Sequence, residues 1–371
     1  MNSDVYHDRV PADPPAVYLH VGPPKTGTTY LQDVLWLNQA RLAERGVSVP
    51  GKQVDHFHAA LDLRGIQFGG HKDPAVPGAW ARLATRARPA SGKVVITHEV
   101  LAGAQPEQIA EAVSSLAPAR VHVVYGARDL GRQLPAVWQE GLKNRQTRGL
   151  GPFLKRSLLD DAAVDRGIWR SQHAVDVLAR WAAHVPADRI TVVTLPPADA
   201  VSTGGDVLWD RFCQALEIDG SELDLDVART NASLSAAQCE VLRMLNQTLP
   251  DDLDWPAYEH IVKRRFNDVA NAGRSGRRTK IPRRHRDEVF ARAEQQIEGL
   301  GSAGYRVVGD LDDLRPRETA FGRATARPAK VTRAAVQLLA AELEVTERPD
   351  SVGRRARTLM GRIQGRRQGS A

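Results

Sequence analysis

The sequence predicts an α/β protein, a P-loop-like three-layer fold with a central parallel sheet between helices and a mostly helical C-terminal part. Three observations predict it. Short apolar runs alternate with amphipathic stretches up to about residue 205, the pattern of strand–helix–strand units with a parallel sheet. The first run opens directly into a glycine loop and a helix start, and strand signals fade after residue 205.

The elements follow in order. "VYLHVG" (17–22) is a buried strand ending in glycine, and from Thr28 the apolar residues Leu31, Val34, Leu35 and Leu42 recur at helical spacing until Gly46. The span after Gly46 reads as loop-rich, with "DHFHAALDLRG" and the Gly/Pro-rich "GGHKDPAVPG". "KVVITHE" (93–99) and "VHVVYGAR" (121–128) are the next strands, with "AQPEQIAEAVSSLAP" a helix between them that carries Pro106 near its start. "LPAVWQEGLK" and "QHAVDVLARWAAHV" are helices, and "RITVVTLPP" (189–197) is a fourth strand. Residues 1–15 read as a disordered lead-in, 16–310 as the folded body, and 311–371 as a basic tail with helix candidates at 330–345 and 352–364.

Composition narrows the class. Of 371 residues 42% are hydrophobic, enough for a sizeable core, and no run approaches the roughly 18 apolar residues of a membrane span. The N-terminal stretch has neither the basic nor the apolar region of a signal peptide. Cys213 and Cys239 form no CxxC pair and have no histidine cluster beside them, so they read as reduced core residues of a cytoplasmic protein, with no metal site. The net charge is +7, but residues 311–371 hold 13 Lys+Arg against 7 Asp+Glu, leaving the body at +1. A basic tail on a near-neutral body argues against a nucleic-acid enzyme, though the tail could serve a partner of its own.

The chemistry concentrates in "HVGPPKTGTTYLQ" (20–32). Gly22 and Gly27 have the spacing of the phosphate loop G-x-x-x-x-G-K-[ST], but Thr28 stands in the lysine position and the only lysine, Lys25, lies inside the loop. Strand, glycine loop and helix start together gather backbone N–H groups at one place, which suits an anion. In a nucleotide triphosphatase the loop lysine reaches the β- and γ-phosphates. The displaced lysine suits a less charged donor.

"PKTGTTYLQ" resembles the 5′-phosphosulfate-binding loop of the sulfotransferases that use 3′-phosphoadenosine 5′-phosphosulfate. The resemblance spans roughly residues 16–310. It implies that Lys25, Thr26, Gly27, Thr28 and Thr29 bind the cofactor and that Lys25 stabilises charge on the leaving phosphate, with no metal required. It also implies a later strand-end arginine for the 3′-phosphate, matched by Arg128. The family's serine eight residues further on is replaced by Ala136, so Arg128 would act alone or with Arg132 or Gln133. His98 and Glu99, at the end of the second strand, stand where the family places its base, with Glu99 favoured. The basic stretch 263–284 holds nine Lys+Arg and one acid. It reads as a glycine-containing loop similar to the family's cofactor-closing segment, with Lys263, Arg264 and Arg277 as candidates.

His56 and His58 read as solvated loop histidines, with His56 kept as a further base candidate. The expected activity is sulfuryl transfer to a hydroxyl or amine of a carbohydrate, glycolipid or small metabolite. Two other classes stay open: a P-loop nucleotide kinase or NTPase, and a non-catalytic anion- or nucleic-acid-binding protein.

Overall fold

Val, Ile and Leu runs that are apolar on both faces form strands only where helices cover both sides of the sheet. The computed structural model describes residues 14–67, 70–88, 92–159, 170–197, 205–227, 233–272, 276–323 and 326–347. Its sheet is parallel throughout and has six strands: β1 (Ala16–Gly22), β2 (Val47–Ser48), β3 (Lys93–Thr97), β4 (Arg120–Ala127), β5 (Ile190–Thr194) and β6 (Arg306–Val308). Their order is β2-β3-β1-β4-β5-β6, with Val17 level with Val94 on one side and Val121 on the other.

Alternate residues of each strand serve opposite layers. Val17, Leu19, Val94, Ile96, Val123 and Val192 pack under the helices Gln53–Arg64, Ala79–Ala87, Pro106–Ser115 and Ala174–Ala182. Tyr18, Val95, Val124 and Val193 face the helices Thr28–Leu37 and Gly205–Leu216. The strand order places β1 centrally. The chain leaves β1 toward β3 on one side and later returns to β4 on the other, so β1/β4 is the point where the winding reverses. Ligands of such sheets bind beyond the carboxyl ends of the strands there.

The expected three-layer α/β architecture is present. Local differences have physical reasons. "DHFHAALDLRG" is not loop but the helix Gln53–Arg64, whose polar side chains obscure its stripe although Ala59, Ala60, Leu61 and Leu63 are buried. The strands β2 and β6 are too short to give a period-2 signal. Residues 259–266 are π-helical and 267–272 helical, so Lys263 and Arg264 stand on a helix and not in a glycine loop. Asn267 Nδ2 donates to Lys263 O across that turn, at 2.8 Å.

The chain divides into two compact units. The first holds residues 1–144, 148–231 and 280–324, including the whole sheet; the second holds 145–147, 232–279 and 325–371. In the second unit the helix Pro328–Glu347, the first of the two expected tail helices, packs on the helix Ala236–Thr248. Lys263 Nζ lies 4.9 Å from the Trp255 ring centroid, and Ala236 N donates to Arg277 O at 2.9 Å. Residues 1–13 and the second tail helix expected at 352–364 lie outside the described residues. Among the described residues no helix is long and apolar enough to cross a membrane.

Residues 311–323 pack within the first unit, so the tail does not start at 311. Phe321 is 3% exposed, bridges Ile281 and stacks on Phe290 at 5.7 Å. Phe321→Ala should therefore cost about 3 kcal/mol in urea unfolding, the scale of a buried phenylalanine deletion. A loss under about 0.5 kcal/mol, the surface-substitution scale, would return these residues to the tail.

Candidate active site

β1 ends at Gly22, where φ is 96° and an added Cβ would sit 2.6 Å from the Glu99 Cα. Only glycine permits that approach, which seats the turn after β1 against the turn after β3. Arg128 follows β4, on the other side of β1. Lys25, Glu99 and Arg128 thus leave the carboxyl ends of three adjacent strands, as the sequence predicts.

The loop between Gly22 and the helix Thr28–Leu37 is held by its carbonyls. Thr26 Oγ1 donates to Pro23 O at 2.7 Å, Gln133 Nε2 to Pro24 O at 2.9 Å, Gln172 Nε2 to Pro24 O at 3.3 Å, and Arg128 Nη1 to Lys25 O at 2.8 Å. Its donors are left over. Among the described residues the backbone N–H groups of Lys25, Thr26, Gly27, Thr28 and Thr29 have no acceptor. Lys25 adopts φ 74°, a left-handed backbone that costs a non-glycine residue about 1 kcal/mol, and Gly27 follows at φ 81°. Strain of this kind persists where surrounding bonds fix it. Successive free N–H groups with left-handed residues among them form an anion-binding concavity.

Lys25 Nζ donates to Glu140 Oε2 at 3.2 Å, and the two side chains are 31% and 27% exposed. A pair that open to water contributes roughly 0.2–1 kcal/mol, less than the roughly 1.5–3 kcal/mol of a charge-assisted bond to an anion in the loop. Glu140 is a counter-ion that a phosphate can displace. Asp129 caps the helix Leu130–Lys143, accepting from Arg132 N at 2.9 Å, and also pairs with Arg132 Nε. Among the described residues Arg132 Nη2 and Gln133 Oε1 are buried without a partner, a donor and an acceptor beside the loop. Ala136 is half-buried on the same helix.

Of the base candidates, the hydrogen bonds separate the histidines from Glu99. His56 is not a solvated loop residue: it is 1% exposed, accepts from Thr97 N on Nδ1 at 3.0 Å and donates from Nε2 to Pro50 O at 2.7 Å. Both its nitrogens are committed, and it ties the helix Gln53–Arg64 to β3. His98 lies past the strand end, and its Nδ1 accepts from Val100 N at 3.2 Å. A neutral ring in that tautomer carries its proton on Nε2 and has no lone pair there for an acceptor's proton. Burial lowers the His98 pKa, which keeps the ring neutral. Glu99 has a 25% exposed side chain, and its Oε2 accepts from Gln32 Nε2 at 3.2 Å. Gln53 Nε2 in turn donates to Gln32 Oε1 at 3.2 Å, which fixes the amide so that its NH₂ faces Glu99. His58 Nε2 stands 3.4 Å from Asp73.

Gln32, Gln53, Glu140 and Gln172 have no signal in the sequence that would separate them from ordinary helix residues. Lys263, Arg264 and Arg277 belong to the second unit. Among the described residues no group of three or more His, Cys, Asp or Glu side chains is placed to hold a metal ion.

Burial pushes His20 and His56 down from 6.5 to about 4. Their folded pKa values lie below the unfolded ones, so their contribution is fully present above pH 6.5 and is lost as pH falls toward 4. Each can remove up to roughly 3 kcal/mol over that window. The urea midpoint should fall steeply from pH 7 to pH 5; a flat profile would show both rings protonated or exposed.

Comparison with models of known protein families, with curated proteins and with solved structures finds no match to this chain, so the geometry of the site carries the functional reading.

Proposed function

We propose that the protein is a sulfotransferase using 3′-phosphoadenosine 5′-phosphosulfate, with a hydroxyl or amine of a carbohydrate, glycolipid or small metabolite as acceptor. The observation that carries the reading is the loop after β1: five N–H groups without an acceptor among the described residues, beside a lysine set inside the loop and held by a displaceable carboxylate. The residues fit the cofactor, because among the described residues Arg132 Nη2 is a buried donor without a partner on the helix whose Gln133 bonds that loop.

When bound, the cofactor supplies a sulfuryl group whose bond to the phosphate oxygen breaks as the acceptor's oxygen or nitrogen takes its place. The N–H groups of Lys25 to Thr29 would hold the 5′-phosphate, and Lys25, released from Glu140, would supply the positive charge that offsets the leaving group's. Arg128 holds the Lys25 carbonyl, and Arg132 would offer a donor to the 3′-phosphate. Glu99, held by Gln32, removes the acceptor's proton. The two buried cysteines, neither in a disulfide, support a cytoplasmic setting.

Adenosine 3′,5′-bisphosphate should raise the melting temperature without Mg²⁺, whereas ATP and GTP should do little. At 100 times its dissociation constant a ligand adds about 2.7 kcal/mol, a readily measured shift. A Mg²⁺-dependent shift with ATP in its place would mark a nucleotide kinase. Lys25→Ala should keep much of the bisphosphate affinity and lower sulfuryl transfer by about two orders of magnitude or more, the effect of losing one preorganised donor. Near-normal turnover in that variant contradicts the role given to Lys25.

A further inference from the structure

Beyond Glu99 the chain makes the short 3-10 turn Glu99–Gly103, and two arginines close on its far end. Arg64 Nη1 donates to Val100 O at 3.2 Å. Arg180 donates to Ala102 O and Arg170 O from Nη2, at 3.1 and 3.0 Å, and to Ala104 O from Nε at 3.1 Å. The Arg64 guanidinium lies flat on Gly103, since an added Cβ would meet its Cζ at 2.6 Å. Arg170 brings a third cation to the same place: burial, and then Arg170 and Arg180, lower the Arg64 pKa.

Among the described residues no acid pairs with Arg64 or Arg170. Among the described residues Arg64 makes no ion pair and its Nε is buried without a partner, and the Arg170 side chain makes neither a hydrogen bond nor an ion pair. Grouped guanidinium groups repel unless an anion joins them, and their forked donors suit the planar or tetrahedral oxyanions.

The helix Gln53–Arg64 connects this place to the reacting end. Gln53, Phe57 and Arg64 recur at spacings of four and seven and share one helix face. Gln53 bonds Gln32 beside Glu99, Phe57 sets its half-buried ring 5.1 Å from the His98 ring, and Arg64 reaches the far end of the turn. At about 2 Å of rise per residue, roughly 8 Å separates Glu99 from Gly103.

We infer that Arg64 and Arg170, with Arg180 beside them, form an anion subsite for an acidic acceptor, one that carries a carboxylate or a phosphate or sulfate ester about 8 Å from the group to be sulfated. The acceptor lies along Phe57, its acid on the arginines and its hydroxyl at Glu99. This rests on the sulfotransferase reading for what happens at Glu99, while the subsite itself can be tested alone.

The probes are D-glucuronate and glucose 6-phosphate, with glucose as the uncharged control, followed by melting temperature on the full chain and on Lys25→Ala. Both acidic sugars at tens of millimolar should raise the melting temperature in the two proteins alike, and glucose should not. Whichever acid gives the larger shift identifies the acceptor's anion as carboxylate or ester. Arg170→Gln removes a side chain that makes no bond among the described residues, so it should fold normally, keep the adenosine 3′,5′-bisphosphate shift, and lose at least two thirds of the acidic-sugar shift. Arg64→Gln should do the same. An equal response to glucose, or an undiminished acidic-sugar shift in Arg170→Gln, overturns the subsite and leaves the arginines as clasps of the turn. A chain that loses the shift in Arg170→Gln but never binds the bisphosphate keeps the anion subsite and fails as a sulfotransferase.

Discussion

Every carbonyl from Pro23 to Lys25 is held by a side chain, and every N–H from Lys25 to Thr29 is left without an acceptor among the described residues. This division orders the rest of the site. Buried backbone groups are rarely left unpaired unless a ligand or water completes them. Thr26 and Thr28 are 1% and 3% exposed, so the loop is built to be completed by an anion. The left-handed Lys25 is the local cost of that arrangement, and the bonds from Arg128, Gln133 and Gln172 hold it in place.

The same constraint gives Arg128 a second task. As a strand-end arginine it belongs to the crevice, yet its Nη1 is spent on the loop's own carbonyl. On the proposed reading, an arginine that shapes the phosphate loop would also border the 3′-phosphate and so couple the two ends of one nucleotide. Ala136 then matters less than its place in the motif suggests, because the unpartnered donor nearby belongs to Arg132. Near Glu99, both His56 nitrogens and the His98 Nδ1 are committed to backbone groups, so the carboxylate is the group there left to take a proton from an acceptor in the proposed reaction.

Much of this was legible in the chain. The four long strands, the glycine loop, and the positions of Lys25, Glu99 and Arg128 at strand ends follow from apolar runs broken by Gly and charge, a local pattern. His56 was misread because two histidines at i, i+2 look extended, whereas the buried alanines and leucines behind them form a helix face. The glycines of 263–284 likewise masked a helical stretch. Glu140, Gln172, Gln32 and the arginines around Gly103 were illegible for another reason: each acts through a partner 39 to 115 positions away, or through a backbone carbonyl. No periodicity encodes such pairs.

A structure of the protein with adenosine 3′,5′-bisphosphate bound tests the central claim most directly. The account predicts 5′-phosphate oxygens within hydrogen-bond distance of the Thr26 to Thr29 N–H groups, and Lys25 Nζ turned from Glu140 to the phosphate, with no metal ion between them. Phosphate bound elsewhere, with Lys25 still on Glu140 and water on the loop N–H groups, would contradict it.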